Sequence, residues 1–308
     1  MDIVFFASGK FAVKILEELI GAGHKVSLVV TRPDMPKGRH LDFMPTEVKK
    51  RARELNLKVY QPQNPNSEEA ICLIKSVPAD LFVVVSYGHI LKDALLQLPK
   101  LYPLNIHASL LPKYRGAAPI NWAIVNGEKE TGVSIIRMVE RMDAGDILLQ
   151  KKISISREDD AETVEEKLWA LSAASLIEVI NLIQAGRVEF TKQEEKDVSF
   201  APKLEKGHGL IDWNKSSVEI ANQINGLIPW PAAYTFYKGK LLKIWKTKVK
   251  NEGGAGPGEI IEAGNGGLII GTAKGALEVI ELQLENGKRL GAEAFLCGHN
   301  MQAGEKLG

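Results

Sequence analysis

The sequence predicts an α/β chain in which a doubly wound, mostly parallel sheet is followed by a small antiparallel β-barrel. Three observations carry this. Apolar runs at Ile3–Ala7, Val26–Val30 and Leu81–Val85 alternate with helix-spaced segments, and strands apolar on both faces suit a parallel sheet covered on each side. After Gly186 the texture changes to a polar stretch without periodicity. Beyond about residue 240, short β-type runs separated by glycines dominate. At 308 residues the chain exceeds one ordinary core. The expected division is a doubly wound domain over 1–188, a linker over 189–206 and a barrel domain over 207–308.

The elements follow in order. Phe11, Ile15, Leu16, Leu19 and Ile20 share a helical face that Gly21 and Gly23 close, and Val48, Ala52 and Leu55 mark a second helix. A strand at Leu104–Ile106, a helix near Pro119–Asn126 and a strand near Val133–Met138 come next. A long helix runs from about Thr163 to Gln184, with Thr163 and Glu166 read as its capping box. In the second domain Ser216 and Glu219 cap a helix through Val218, Ile220, Ile224 and Leu227, which Pro229-Trp230-Pro231 stops. Strands are expected at Leu241–Val249, Gly258–Ile261, Leu268–Gly271 and Leu277–Leu284.

Composition excludes several function classes. The net charge is +1, from 39 basic and 38 acidic side chains, so no global field draws a polyanion, although a local basic face can still hold nucleic acid. Asp2 stands where a secretory leader wants basic residues, no run reaches a membrane-spanning length, and the expected location is the cytoplasm. Cys72 and Cys297 lie far apart in apolar surroundings and read as buried thiols of a reducing compartment. The six histidines form no metal-type spacing, so no metal is expected. The loop after the first strand, Ser8-Gly9-Lys10-Phe11, is neither a dinucleotide fingerprint nor a Walker A sequence, and no G-x-S-x-G elbow is present.

Ligands of such sheets bind outside the carboxyl ends of the strands, which directs attention to the loops after Ala7, Val30, Val85 and Ile106. In the segment from Leu104 to Pro112, Asn105 and His107 alternate with Leu104 and Ile106 and so share a strand face. An amide donor beside an imidazole can hold a developing oxyanion and move a proton. The same pair would equally serve as a polar strand end. Asp143, in Met142-Asp143-Ala144-Gly145-Asp146, can orient and charge-stabilise a histidine, or be an ordinary turn aspartate. Lys238, Lys240, Lys243, Lys246, Lys248 and Lys250 fall in a segment without acids. Alternation puts the even-numbered lysines on one face opposite Leu241 and Trp245, with Lys243 breaking the pattern; such a face either grips phosphates or guards a strand edge.

The stretch Asn105–Ile120 (NIHASLLPKYRGAAPI), with Glu130–Ser134 (ETGVS) and Met142–Asp146 (MDAGD), resembles the folate-dependent formyltransferases. The inserted segment Thr31–Lys49, the Ala201–Trp213 entry to the second domain and the Pro229-Trp230-Pro231 unit are similar to the branch acting on methionyl-tRNA, and the likeness runs to the C-terminus. The resemblance implies a formyltransferase-type Rossmann-like domain and an OB-like barrel. It implies transfer of a formyl group from 10-formyltetrahydrofolate to the amine of initiator methionyl-tRNA, with Asn105, His107 and Asp143 as the catalytic set; a monomer is expected separately, because no large apolar surface strand is evident. Ser109, Leu110, Leu111, Pro112, Tyr87, Gly88, Ile90 and Leu91 would meet the folate, and Lys37, Arg39, Lys243, Lys246 and Lys248 the tRNA. The chain departs from the pattern in its first loop, one residue short, and at His40-Leu41-Asp42-Phe43, where basic residues usually follow. The rival readings are an N-formyltransferase of an amino sugar nucleotide, a formyl-folate hydrolase and a non-catalytic RNA-binding protein.

Overall fold

The computed structural model describes residues 1–37, 42–251, 254–264 and 266–308. In chain order the first part contains β1 (Asp2–Ala7), α1 (Phe11–Gly21), β2 (Lys25–Val30), β3 (Met35–Lys37), β4 (Asp42–Met44), α2 (Glu47–Glu54), β5 (Val59–Tyr60), α3 (Glu68–Lys75), β6 (Leu81–Val85), α4 (Asp93–Leu96), β7 (Tyr102–His107), β8 (Arg115–Gly116), α5 (Pro119–Val125), β9 (Glu130–Arg137), β10 (Ile147–Ser154) and α6 (Ala161–Gln184). The chain forms two compact units that are not contiguous in sequence. One comprises Met1–Gly116, Thr131–Ile153 and Glu165–Phe200, the other Ala117–Glu130, Ser154–Val164 and Ala201–Gly308. The segment expected as a linker is thus divided, with 189–200 packed into the first unit.

The first unit is built on a seven-stranded sheet in the order β10-β9-β7-β6-β1-β2-β5. β1 runs parallel to β2 and β6, and β6 parallel to β7, whereas β9 is antiparallel to β7. The central strands β1 and β6 are buried along almost their whole length, which is why they read as continuous apolar runs. β10 is not legible in that way. Its burial alternates from Gln150 onward, and the lysines at 151 and 152 dilute its apolar signal. The side chains of Phe6, Phe82, Tyr87, Leu91 and Leu95 form the core on one side of the sheet.

The helix after β10 starts earlier than its sequence suggests. The capping box of α6 is Asp160 with Thr163, not Thr163 with Glu166: each backbone N–H donates to the other's side chain at 2.8 Å, because the helix begins about half a turn sooner, at Ala161.

After α6 the chain continues with β11 (Phe200–Ala201), at the division between the units, and then, in the second unit, α7 (Ser217–Gly226), β12 (Ala233–Tyr237), β13 (Lys240–Lys250), β14 (Ile260–Gly264), β15 (Gly267–Gly271), β16 (Ala276–Leu284), β17 (Leu290–Gly291) and α8 (Ala292–Gly298). α7 opens on the expected box, in which Ser216 Oγ accepts from Glu219 N–H and Glu219 accepts from Ser216 N–H. The sheet order is β12-β13-β16-β15-β14, with β17 on β16. Leu242, Ile244, Leu268, Leu277, Val279 and Leu282 meet Ile220, Ile224 and Phe295 in its core.

Cys72 and Cys297 are exposed rather than buried. α3 turns Ala70 and Ile74 inward and α8 turns Ala292 and Phe295 inward, which leaves the residue two positions away on the outer face.

β13 changes phase along its length. Leu242 and Ile244 face the core, then the register against β16 slips on both sides of Lys246. Thr247 and Val249 take over the inner positions. The expected strict alternation is therefore corrected: Lys243 and Trp245 before the bulge share the outer face with Lys246, Lys248 and Lys250 after it.

Candidate functional site

β6 and β7 are adjacent and parallel, so their carboxyl-end loops open at the same edge of the sheet. Asn105 pairs in register with Val84 and Ile136, and His107 with Ser134. The alternation of β7 thus brings the amide and the imidazole to one side, as the sequence predicts, and the loop after β9 brings Asp143 to them. Asn105 Nδ2 donates to Asp143 Oδ1 at 3.3 Å. His107 Nδ1 lies 3.5 Å from Asp143 Oδ2, and that oxygen also accepts the Gly116 N–H at 2.9 Å. His107 Nε2 lies 2.9 Å from the Tyr114 carbonyl. A carbonyl can only accept, so Nε2 carries a hydrogen, and Nδ1 is the nitrogen that faces the Asp143 carboxylate. His107 is only 5% exposed.

Asp143 sits at φ 52°, a left-handed conformation that costs a non-glycine residue free energy and needs outside support. Part of that support is not legible in the sequence. Gln193 Nε2 donates to the carbonyls of Asp143 at 2.8 Å and Gly145 at 2.7 Å. Its Oε1 accepts from Arg115 Nε and Nη2 at 3.0 and 2.8 Å. Arg115 is buried at 2% exposure and also meets Glu195, whose carboxyl is held below its usual range by hydrogen bonds from Arg141 and then Arg115. At Gly145 a Cβ would overlap the Arg137 carbonyl oxygen, so only glycine fits.

The 109–112 turn is pinned from β9 and β10. Ser134 Oγ donates to Ser109 O at 2.7 Å and accepts from the Leu111 N–H at 3.1 Å and from Gln150 Nε2 at 2.8 Å. Ser109 Oγ donates to Lys113 O at 2.7 Å. Of the residues that the resemblance assigns to a folate, Ser109, Leu111, Tyr87 and Leu91 are buried. Leu110 and Pro112 are half-buried, and Gly88 and Ile90 are exposed, Ile90 at 61%. The Tyr87 ring packs edge-on against Phe6. Its hydroxyl is buried without a hydrogen-bond partner among the described residues, and burial pushes the phenol well above its ordinary range. Gly88 takes φ 83° beside the Arg32 guanidinium.

The inserted segment forms the antiparallel ribbon β3–β4, in which Lys37 pairs in register with Asp42. Arg39, and with it the departure at His40-Leu41, lies outside the described residues, as does the Lys37 side chain. Met35 and Phe43 are exposed at 63% and 72%, so the described part of the ribbon presents apolar surface. Its feet are anchored: the nearly buried Lys49 reaches Asp34 at 2.6 Å, and Thr31 meets Thr46 at 2.9 Å. Hydrogen bonds from Gln61 and from Lys49 hold the Asp34 carboxyl below its ordinary range.

On β13, Lys243 lies 5.6 Å from the Trp245 ring centroid and Arg289 4.9 Å from it. Lys246 and Lys248 stand in register with Glu281 and Glu278, which are engaged by Arg289 and Lys250. The face is therefore mixed in charge at β16 and basic along β13. Among the described residues there is no cluster of acids, histidines or cysteines that could hold a metal ion, and no helix is long and apolar enough to cross a membrane.

The profile described as formyl transferase matches residues 1–180, and that of the formyl transferase C-terminal domain matches residues 203–300. Methionyl-tRNA formyltransferase of Geobacter sulfurreducens is 42% identical over 308 residues, covering 100% of this chain and 97% of its own. That of Thermodesulfovibrio yellowstonii is 45% identical, covering 98% of this chain and 97% of its own. Among solved structures, the sugar 3N-formyl transferase WlaRD, crystallised in the presence of dTDP and 5-N-formyl-THF, superposes with a TM-score of 0.69 at 21% identity over 94% of this chain and 99% of its own. That likeness speaks to the fold, while the two full-length relatives speak to descent. With both domains matched and relatives aligned from end to end, the chain belongs to the formyl transferase family, beside the methionyl-tRNA formyltransferases.

Proposed function

We propose that this enzyme transfers the formyl group of 10-formyltetrahydrofolate to the free amine of initiator methionyl-tRNA, yielding N-formylmethionyl-tRNA for translation initiation. The observation that carries the reading is the Asn105–Asp143–His107 cluster at the carboxyl end of β7, in a chain whose full-length relatives bear that activity in their names. The folate supplies the formyl carbon and the departing nitrogen. The residues available to hold it fit such a group. The 86–91 and 108–112 loops lie at neighbouring strand ends, Ile90 and the half-buried Leu110 and Pro112 offer apolar surface, and the buried Tyr87, Leu91, Ser109 and Leu111 back them.

Asn105 uses one amide hydrogen on Asp143, and its second is available for the oxygen that gains charge as the amine adds. Asp143 accepts from Asn105 and Gly116 and faces His107 Nδ1, so the pair takes up the proton that the amine gives up on bonding to the formyl carbon and returns it to the folate nitrogen as that nitrogen's bond to the carbon breaks. Burial of His107 keeps bulk water from competing for that proton. A primary amine is itself a competent nucleophile, so no covalent enzyme intermediate is required.

In this reading the 207–308 barrel and the inserted ribbon, with Lys37, Arg39, Lys243, Lys246 and Lys248, grip the tRNA. The enzyme works in the cytoplasm as a monomer and without a metal. Incubation with 10-formyltetrahydrofolate and charged initiator methionyl-tRNA, with an amino sugar nucleotide in parallel, tests it. Formylated methionyl-tRNA is expected, and formylation of the sugar alone would overturn the reading. For the lysine face, Lys243→Glu with Lys246→Glu should weaken tRNA binding. It should also flatten the log–log salt dependence by about one unit for each phosphate that is no longer neutralised. An unchanged slope would place the tRNA on another face.

A further inference from the structure

The segment expected as a linker reaches into the cluster around His107. Ile147 and Thr191 exchange both backbone hydrogen bonds at 2.8 Å, an antiparallel bridge. Continuing that pairing by two residues puts Gln193 opposite Gly145, where its amide N–H donates to the Gly145 and Asp143 carbonyls. At the far end Ser199 Oγ accepts the Tyr114 N–H at 3.0 Å and Ser199 O accepts the Arg115 N–H at 2.9 Å. Tyr114 is itself left-handed at φ 64°, and its carbonyl is the partner of His107 Nε2. The two residues that flank the imidazole, one on each ring nitrogen, are thus both held in left-handed backbone by the same strap.

We propose that Gln193 is a positioning residue for the transfer, and that the 191–199 strap sets the proton geometry of His107 by holding Asp143 from one end and Tyr114 from the other. This rests on the catalytic role given above to His107 and Asp143. Gln193 is suited to the task because its two ends do different things. Oε1 takes the buried Arg115 guanidinium, a charge that must be satisfied for the unit to fold. Nε2 takes two carbonyls of the Asp143 loop, which fixes where the carboxylate points. A strained loop of this kind relaxes when one support is removed, and a displacement on the order of 1 Å at a reacting group can cost about 10²-fold in rate.

The substitution Gln193→Glu separates the two ends. A carboxylate still accepts from Arg115 but cannot donate to the two carbonyls. The expected result is a fall in kcat of about ten- to a hundred-fold, with KM for 10-formyltetrahydrofolate and for methionyl-tRNA unchanged and the thermal midpoint lowered only modestly, since two carbonyls lose their donor while Arg115 keeps its acceptor. Gln193→Ala, which removes both ends, should lose the same activity and considerably more stability, because the buried Arg115 also loses its acceptor. Wild-type kcat in Gln193→Glu overturns the proposal. So does a loss that comes with an equal loss of folate binding or of thermal stability, because the residue would then serve the fold alone. Asp143→Asn run alongside must be severely impaired. If it turns over normally, the role given to Asp143 fails, and this inference falls with it.

Discussion

His107→Asn is expected to abolish turnover while leaving 10-formyltetrahydrofolate binding intact. The imidazole is buried between the Tyr114 carbonyl on Nε2 and the Asp143 carboxylate on Nδ1. An asparagine amide can replace part of this hydrogen bonding but cannot take up a proton. A positioned acid–base group contributes about 10²–10⁴-fold, so a fall of that size in kcat with KM for both substrates little changed is the expected pattern. The shorter side chain also gives up the hydrogen bond between Nε2 and the Tyr114 carbonyl, at about 1 kcal/mol. A denaturation midpoint that falls modestly while kcat collapses separates the chemical loss from the structural one. Retained turnover would remove His107 from the mechanism.

The parts that are legible in the sequence share a physical cause. Leu81–Val85 is buried on both faces and therefore reads as an unbroken apolar run. Asn105 and His107 are set by strand alternation alone, the most local of all patterns. What escapes the sequence is non-local or out of phase. The bulge around Lys246 in β13 reverses the inside–outside pattern midway, so strict alternation from one end misplaces Lys243 and Trp245. Gln193 carries no periodic or compositional mark, since its importance comes from a bridge between Ile147 and Thr191 that sequence spacing does not announce. The neighbourhood of Asp143 can be suspected from its glycine, but its strain and its supports arise only when 115, 145 and 193 meet. The cysteines are exposed despite their apolar flanks because neighbours in sequence are not neighbours on a helix face.

Gly145→Ala tests that meeting point most severely, because the change is one methyl group. A Cβ at 145 would overlap the Arg137 carbonyl oxygen and approach its carbonyl carbon. Backbone atoms cannot rotate away as a side chain can, so the loop itself must shift. The shift has nowhere to go without cost: Arg137 N–H donates to Asp146 O at 2.9 Å just beyond, and Gln193 is bonded to the carbonyls on both sides of Ala144. Overpacking of this sort costs about 1–3 kcal/mol, and moving Asp143 by on the order of 1 Å should lower kcat about 10²-fold. Gly21→Ala supplies the contrast. That glycine ends α1, and among the described residues nothing beyond its own stretch of helix lies within 4 Å of an added Cβ, so a helical Gly→Ala change there should be neutral or stabilising by up to about 1 kcal/mol. Turnover and urea denaturation of the two variants side by side decide the matter. Equal activity and stability in both would mean that the Asp143 loop yields freely, and that its left-handed backbone is not what holds the carboxylate on His107.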